Sequence, residues 1–375
     1  MISFWERESF INYDFIIIGA GIVGLSTALA LRDKDHKASI AVLEKGILPT
    51  GASTKNAGFA CFGSLTELLA DIRTFGEENT LALVQTRVTG LQKLRKRIGD
   101  NKLDYQQNGG YELIKEKELN QVDELDRINN LLQPLFQDQV FHLKPELIPK
   151  FGFKTVETVV FNPYEGQLDT GRMMQCLLKI AAENNIKIYT GAEVLRIEEG
   201  SPVKVKIVSD HISLSMHGGR VIVCTNAFTK RLLPAEDLTP GRGLVLVTNP
   251  ISNLRFKGTF HIDQGYYYFR DFENRVIFGG GRNEFIDEEN TTTFEVNQRI
   301  LEILKSKLNE IILPDSKYSI DMIWTGIMAF GATKKPILRR HSENILVGAR
   351  LGGMGVAIGS ELGYKLAAMA LSDQV

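Results

Sequence analysis

Cysteine, proline and net charge are all scarce in this chain of 375 residues. Its three cysteines, Cys61, Cys176 and Cys224, stand far apart and make neither a CxxC pair nor a metal-ligand spacing. A disulfide scaffold and a cysteine-built metal site are therefore excluded, and buried thiols in a reducing, cytoplasmic setting are expected. The 11 prolines form no linker, and no repeat or low-complexity segment is visible. The length suits two to three domains at roughly 150 residues each, and without a cut point they are expected to interleave. Against 45 acidic side chains stand 44 basic ones, a formal charge of −1. No basic footprint for nucleic acid or an anionic membrane surface follows from that balance. The N-terminal MISFWERESF is charged and lacks the apolar segment of a secretory signal. Long hydrophobic runs are missing too. The longest uncharged stretch, residues 15–31, has 17 residues and three glycines, so no membrane span is expected.

What is present reads as α/β. Residues 14–18 (DFIII) form an apolar β run, followed by GAGIVG and a helical STALALR. A second β run, ASIAVLE, ends at Glu44, and residues 45–60 are rich in Gly, Ser and Thr and read as irregular. Helix is expected over 64–98, a strand over 103–114 with a turn at Asn108-Gly109-Gly110, and helix again near 116–137. An amphipathic helix over 168–185 leads into the strand pattern IKIYTGAEVLRIEE. Strands follow at 220–224, 243–248 and 266–270, the last pairing with RVIFGG across a DFEN turn. An amphipathic helix spans 294–308. NILVGA, the glycine cluster LGGMG and a closing helix end the chain.

Gly19, Gly21 and Gly24 make a G-x-G-x-x-G fingerprint, with Ile22 and Val23 between the last two, in its required setting of strand before and helix after. The first glycine permits the tight turn, the second lets a pyrophosphate approach the backbone, and the third lets helix pack on strand. The helix start offers unpaired N–H groups and a positive dipole end to the phosphates. Glu44 ends the next strand 20 residues after Gly24, where an acid accepts from ribose hydroxyls. NAD and FAD share this half-site. The small, hydrogen-bonding residues 50–60 (TGASTKNAGFA) then suit a backbone laid along a flat polar ligand.

Together these stretches resemble the D-amino-acid oxidase-like flavoproteins, among them glycine oxidase, sarcosine oxidase and gamma-glutamylputrescine oxidase. The resemblance runs along almost the whole chain and leans towards the gamma-glutamylputrescine oxidase-like branch. It rests on IIIGAGIVGLSTALAL with Glu44, on STKNAGF, and on EGQLDTGRMMQCLLKIAAENNIKIYTGAEVLRIEE. RVIVCTNAF, YYYFR with RVIFGGGR, and WTGIMAFGATKKPIL followed by LVGARLGGMGVAIGSELG complete it. It implies an α/β fold in which a Rossmann-type FAD-binding domain, glutathione-reductase-like and of the second type, covers 1–62, 155–235 and 321–375. An α+β substrate domain on an antiparallel sheet, 63–154 and 236–320, is interleaved with it.

The resemblance also implies positions for FAD. Gly19, Gly21 and Gly24 would hold the pyrophosphate, with Glu44 and Lys45 at the adenosine ribose and Val194 at the adenine. Ser53, Thr54, Lys55, Asn56, Ala57, Gly58 and Phe59 would run beside the flavin ring. Cys224, Thr225 and Asn226 would pass near the phosphates. Arg350, Gly352, Gly353, Met354, Gly355 and Val356 would open the last helix beside the ring. Some relatives tether FAD through a His in the first loop or a Cys near the C-terminal motif. Here Lys55 stands in the loop and no cysteine follows Cys224, so FAD is expected to be non-covalent. Where sarcosine oxidases place a lysine beside the flavin, this chain has Ile277, which leaves dioxygen or a quinone-like compound as acceptor.

Strand alternation puts Tyr266, Tyr268 and Arg270 on one face, and the resemblance turns that face to the flavin. Phe59, Trp324 and Met328 complete the substrate-side candidates. Met328 stands where glycine oxidase-like members carry an arginine for the substrate carboxylate. An amine without an α-carboxylate is therefore expected, with Arg270 free for a remote carboxylate and Arg242, Arg282 and Arg350 as further cations. His261 is the one histidine singled out, and no side chain is assigned as a base. The expected reaction is oxidation of a C–N bond to an imine by hydride transfer to flavin. The alternatives are a flavin 2-hydroxy-acid dehydrogenase, a flavoprotein modifying a tRNA side group, and a flavin-binding protein without turnover. An alcohol would need a base, and tRNA would need positive charge.

Overall fold

The structure, a computed structural model, describes residues 3–209 and 212–372. The first apolar run forms the strand Asn12–Ile18, whose last four residues are buried. It pairs in parallel with Ile40–Leu43 on one side and Ile212–Val223 on the other. Lys187–Tyr189 and Ile345–Ala349 extend the parallel sheet, and Ile337–Arg340 closes one edge antiparallel. A sheet covered on both faces explains why these strands read as continuous apolar runs rather than alternating ones. On one face lie the helices Ile22–Lys34, Glu77–Ile98 and Gly355–Leu371. The other is covered by the antiparallel extension Glu193–Glu198 and Val203–Ser209, whose Val203, Val205 and Ile207 pack with Ile16, Ile18 and Leu43.

A second sheet has the order Ile320–Phe330, Thr239–Thr248, Arg275–Gly280, Tyr267–Phe272, Thr259–Ile262, Gly110–Ile114, Thr158–Asn162, His142–Leu143. All its pairs are antiparallel except Thr259–Ile262 with Gly110–Ile114. One face carries Leu244, Leu246, Phe260, Phe269 and Phe278, sealed by the helix Gln298–Lys307. The other face turns to the nucleotide-type sheet.

Several expected elements change. The long helix of 64–98 is two, Leu65–Phe75 and Glu77–Ile98, because Gly76 adopts φ +82° and breaks the ladder. Only Gly110–Ile114 of 103–114 is strand; a helical turn, Asp100–Leu103, stands before it. The segment 116–137 holds short turns and the helix Leu125–Leu132. Helix near 294–308 begins only at Gln298 and runs on through a wider turn, Leu308–Ile312. Thr158–Asn162 and Ile320–Phe330, from the segments 155–235 and 321–375 expected in the nucleotide unit, hydrogen-bond within the second sheet. Among the described residues no helix is long and apolar enough to cross a membrane.

Candidate functional site

The carboxyl ends of the parallel strands converge on one crevice, the place where open α/β sheets bind ligands. Gly19 leaves the first strand at φ +105°, and a Cβ there would stand 2.7 Å from the Cys224 carbonyl oxygen. The N-cap residue Gly21 has no side chain to cap the helix that starts at Ile22, so its first N–H groups face the crevice. One of them, Ile22 N–H, donates to Ser53 Oγ at 3.0 Å, which brings the 51–60 segment over the fingerprint. Glu44 is held at the end of its strand by Ala20 N–H and Gly46 N–H, each 3.0 Å from one of its carboxylate oxygens. Beside it Lys45 pairs with Glu193, the residue before Val194, at 2.6 Å.

Residues 51–60 are more ordered than their composition implies. They form a helical turn, Ala52–Lys55, and a two-residue strand, Phe59–Ala60, paired with Gly166–Gln167. Asn56 ties the turn to the strand: its amide donates to Ala52 O and Ser53 O and its Oδ1 accepts from Gly58 N–H. Thr54 Oγ1 donates to Pro49 O at 2.8 Å, and Ala57 is buried. The second sheet anchors this loop from behind. Arg270 Nη1 donates to Gly58 O at 3.0 Å and Leu168 O at 2.8 Å, and Trp324 Nε1 donates to Lys55 O at 3.0 Å.

Arg270 is thus buried and engaged with backbone, a different task from the free carboxylate-binding cation expected of it. It shares a strand face with Tyr268, as alternation expects, and the Tyr268 ring is edge-on to Phe59 at 5.6 Å. Tyr266 falls outside the strand and is 50% exposed, while Tyr267 points the other way and donates to Glu284. Met328 stands further along the Trp324 strand, its Cε over Gly243.

Register organises this face into one row. Glu112, His261, Tyr268, Gly279, Val245 and Trp324 are successive cross-strand partners over six strands. Gly279 makes room for the Tyr268 hydroxyl, which would lie 2.7 Å from a Cβ there. His261 stacks on Phe59 at 5.3 Å and is 5% exposed, and its ring has no hydrogen-bond partner among the described residues. Burial pushes its pKa down to about 4 and that of the Tyr268 hydroxyl up to about 12. Glu112 accepts from Ser64 Oγ and Thr66 N–H, yet burial still raises it to about 7. Glu165 takes Phe62 N–H at 2.9 Å and Gly63 N–H at 3.2 Å, and burial raises it to about 8. Neither glutamate was singled out from the sequence; a charged residue inside an apolar strand, as Glu112 is in GYELI, was the available signal.

The remaining candidates close the crevice. Thr225 Oγ1 bonds Thr229 Oγ1, and Asn226 Oδ1 accepts Arg350 N–H at 3.1 Å. The Arg350 guanidinium turns away to Asp237 and to Lys335 O, so only its backbone lies at the site. Gly352 and Gly353 have nothing within 4 Å where a Cβ would sit, which leaves open space above them. Met354 caps the final helix, Gly355–Leu371, and its Sδ lies 3.7 Å from Cys61 Sγ; Val356 is buried in the first turn. The residues present fit a dinucleotide with an attached planar ring: bare amides for phosphates, a fixed carboxylate for a ribose, and a cleft between the 51–60 loop and the last helix. Among the described residues no group of three or more His, Cys, Asp or Glu could hold a metal ion.

Comparison with known proteins agrees with this geometry. The family described as FAD dependent oxidoreductase (DAO) matches residues 14–369. Probable oxidoreductase OrdL of Haemophilus influenzae is 23% identical over 96% of this chain and 83% of its own length. Glycine oxidase of Geobacillus kaustophilus is 24% identical over 72% of this chain and 70% of its own. The crystal structure of glycine oxidase from that organism superposes with a TM-score of 0.76 at 17% identity, covering 97% of this chain and 96% of the other. L-Proline dehydrogenase from P. horikoshii gives 0.77 at 18% identity, over 96% and 94%.

Proposed function

The chain belongs to the FAD-dependent oxidoreductase family, and from that premise we propose that it oxidises the C–N bond of a small amine or amino-acid-like substrate to an imine. When bound, FAD would accept a hydride from the C–H bond beside nitrogen, while the nitrogen gives up a proton and the C–N bond becomes C=N. Gly19, Gly21 and the Ile22 helix start would hold its pyrophosphate, and Glu44 its ribose. The 51–60 loop, pinned by Arg270 and Trp324, would lie along the ring. Phe59, Tyr268 and Trp324 would orient the substrate and keep water from the reacting carbon, while the resulting imine hydrolyses outside.

The observation that carries the reading is the chemistry of the row. It offers aromatic rings, a glycine and a histidine whose pKa of about 4 keeps it neutral, while Glu112 at the row's end has both carboxylate oxygens taken by Ser64 and Thr66. A neutral amine needs only orientation and desolvation to give up its electrons. A 2-hydroxy acid needs a base matched to its hydroxyl proton, and so depressed a histidine is poorly matched. The names of the structural neighbours glycine oxidase and L-proline dehydrogenase support the same substrate class.

The test is a panel of primary and secondary amines, each with its hydroxy counterpart, mixed anaerobically with the yellow holoenzyme. At least one amine should bleach the flavin while its hydroxy counterpart does not. Bleaching by the hydroxy compound alone would overturn the proposal.

A further inference from the structure

Three lysines close on one carboxylate away from the crevice. Asp263 follows the strand Thr259–Ile262, and Lys117 Nζ lies 2.6 Å from its Oδ1. Lys115 Nζ and Lys307 Nζ both stand 3.6 Å from its Oδ2. Lys115 and Lys117 come just after the strand Gly110–Ile114, while Lys307 ends the helix Gln298–Lys307 that seals the far face of the second sheet. There the Lys307 ammonium lies 4.1 Å over the Tyr267 ring, whose hydroxyl donates to Glu284. The oxidation proposed above uses none of these groups.

Lys307 is the unusual member. Its side chain is 17% exposed against 66% for Lys117, so it has lost most of its water. Burial first, and the Lys115 ammonium second, hold it below the usual lysine range, although Asp263 and the Tyr267 ring pull the other way. Glu118, beside Lys115 and Lys117, is itself pushed up by burial and by Asp263, which reduces the negative charge it offers them. A lysine desolvated next to another cation yields a neutral, nucleophilic amine more readily than an exposed one. Lys307 also borders free space. With Lys115, Glu116, Glu157, Glu302 and Glu310 it lines a cavity of about 680 Å³. That volume admits a small molecule, and the four glutamates disfavour an anionic one.

We propose that Lys307 is a covalent binding site for small uncharged aldehydes or ketones, which it holds as an imine in this cavity. The neutral amine nitrogen attacks the carbonyl carbon. The C=O bond breaks and a C=N bond forms, the oxygen leaves as water with the two protons of the amine, and nothing is oxidised or reduced. The Lys115 ammonium, against the same Asp263 oxygen, gives the departing hydroxyl a proton and takes one back from the adduct nitrogen. Amine oxidation ends in carbonyl compounds once its imine hydrolyses, so the site suits the class of product formed in the crevice. It lies apart from that crevice and stands whether or not the substrate is an amine.

The test treats the holoenzyme at pH 7 with propionaldehyde or with glyoxylate, plus cyanoborohydride to reduce any imine to a stable secondary amine. Peptide mass spectrometry then times the modification of each lysine. Lys179, 75% exposed, is the reference. With propionaldehyde Lys307 should react on the order of tenfold faster than Lys179, although it is the less accessible of the two. Glyoxylate, an anion, should show no such preference. At pH 10 the gap should narrow, because Lys179 then loses its proton as well. Lys115→Met should slow Lys307 at pH 7 by about tenfold, and Lys115→Arg, which keeps the charge, should recover part of that rate. Modification of Lys307 no faster than of Lys179 overturns the proposal, as does a preference undiminished at pH 10 or shared by glyoxylate. An unchanged rate in Lys115→Met also overturns it, and if that variant does not fold, the pH comparison in wild type decides alone.

Discussion

Gly21 and Gly24 belong to one motif but meet different neighbours. A Cβ at Gly24 would overlap the Gly19 carbonyl oxygen, so the helix could not stay against the strand. Gly24→Val should cost about 2 kcal/mol or more, the scale of overpacking a tight contact, and lower the melting temperature. A Cβ at Gly21 meets only Ser53 Oγ, at 3.0 Å, in the space a pyrophosphate would need. Gly21→Val should therefore fold with a nearly unchanged melting temperature and come out colourless. Melting curves with the ratio of 450 nm to 280 nm absorbance separate the two. Glu165 gives a prediction in pH. Its pKa rises from 4.5 to about 8 on folding because burial disfavours the carboxylate. Between those values the unfolded chain has released the proton and the folded one keeps it, so stability falls as pH rises from about 4.5 to about 8. Glu165→Gln can still accept from Phe62 and Gly63 but has no proton to keep. Its stability relative to wild type should improve between pH 5 and pH 8, and thermal melts at the two values measure it. A difference independent of pH would refute the assignment.

Helix packing on the parallel sheet depends on small residues at three contacts in two crossings. A Cβ at Gly359 would meet Ile22 Cγ2 at 2.6 Å, one at Gly363 would meet Ser26 Cβ at 2.6 Å, and one at Gly90 would overlap the Ala357 carbonyl. The last helix is thereby drawn against both the fingerprint helix and Glu77–Ile98, which fixes where its N-terminus meets the crevice. Gly363→Leu should destabilise by about 1–3 kcal/mol and weaken FAD binding without touching the site, as an FAD titration of the refolded apoprotein would register. Unchanged stability and affinity would show that the crossing tolerates separation. Elements of this kind were only partly legible in sequence. The fingerprint strand and helix, the Glu44 strand and the closing helix were readable because their signals are local. Gly76 was hidden because its neighbours keep helical periodicity on both sides. The row from Glu112 to Trp324 was unreadable for another reason: register across six strands is set by long-range pairing, and alternation within each strand shows only two possible faces. Arg270 illustrates the limit. Alternation puts it on one face with Tyr268, but its partners Gly58 and Leu168 lie 212 and 102 residues away in sequence.

For the whole molecule, the two sheets meet with the 51–60 loop between them, and each sheet is built from segments scattered along the chain. FAD should be released by acid or heat, since Lys55 and the absence of cysteine after Cys224 leave neither familiar tether; flavin remaining on the denatured chain would contradict this. Ile277, the cross-strand partner of Arg270 and Val247, puts an aliphatic side chain on the face that Arg270 turns to the 51–60 loop. Reoxidation by dioxygen should therefore be slow beside that by a quinone, and Ile277→Lys should speed it; equal rates in stopped flow would count against that role. The central claim is that this fold removes electrons from a carbon–nitrogen bond. The most direct measurement is a single anaerobic turnover with the best amine, counting reduced flavin against released nitrogen. One equivalent of ammonia or free amine, with the matching carbonyl compound, is expected per FAD bleached. Bleaching without nitrogen release, or turnover confined to hydroxy acids, would contradict it.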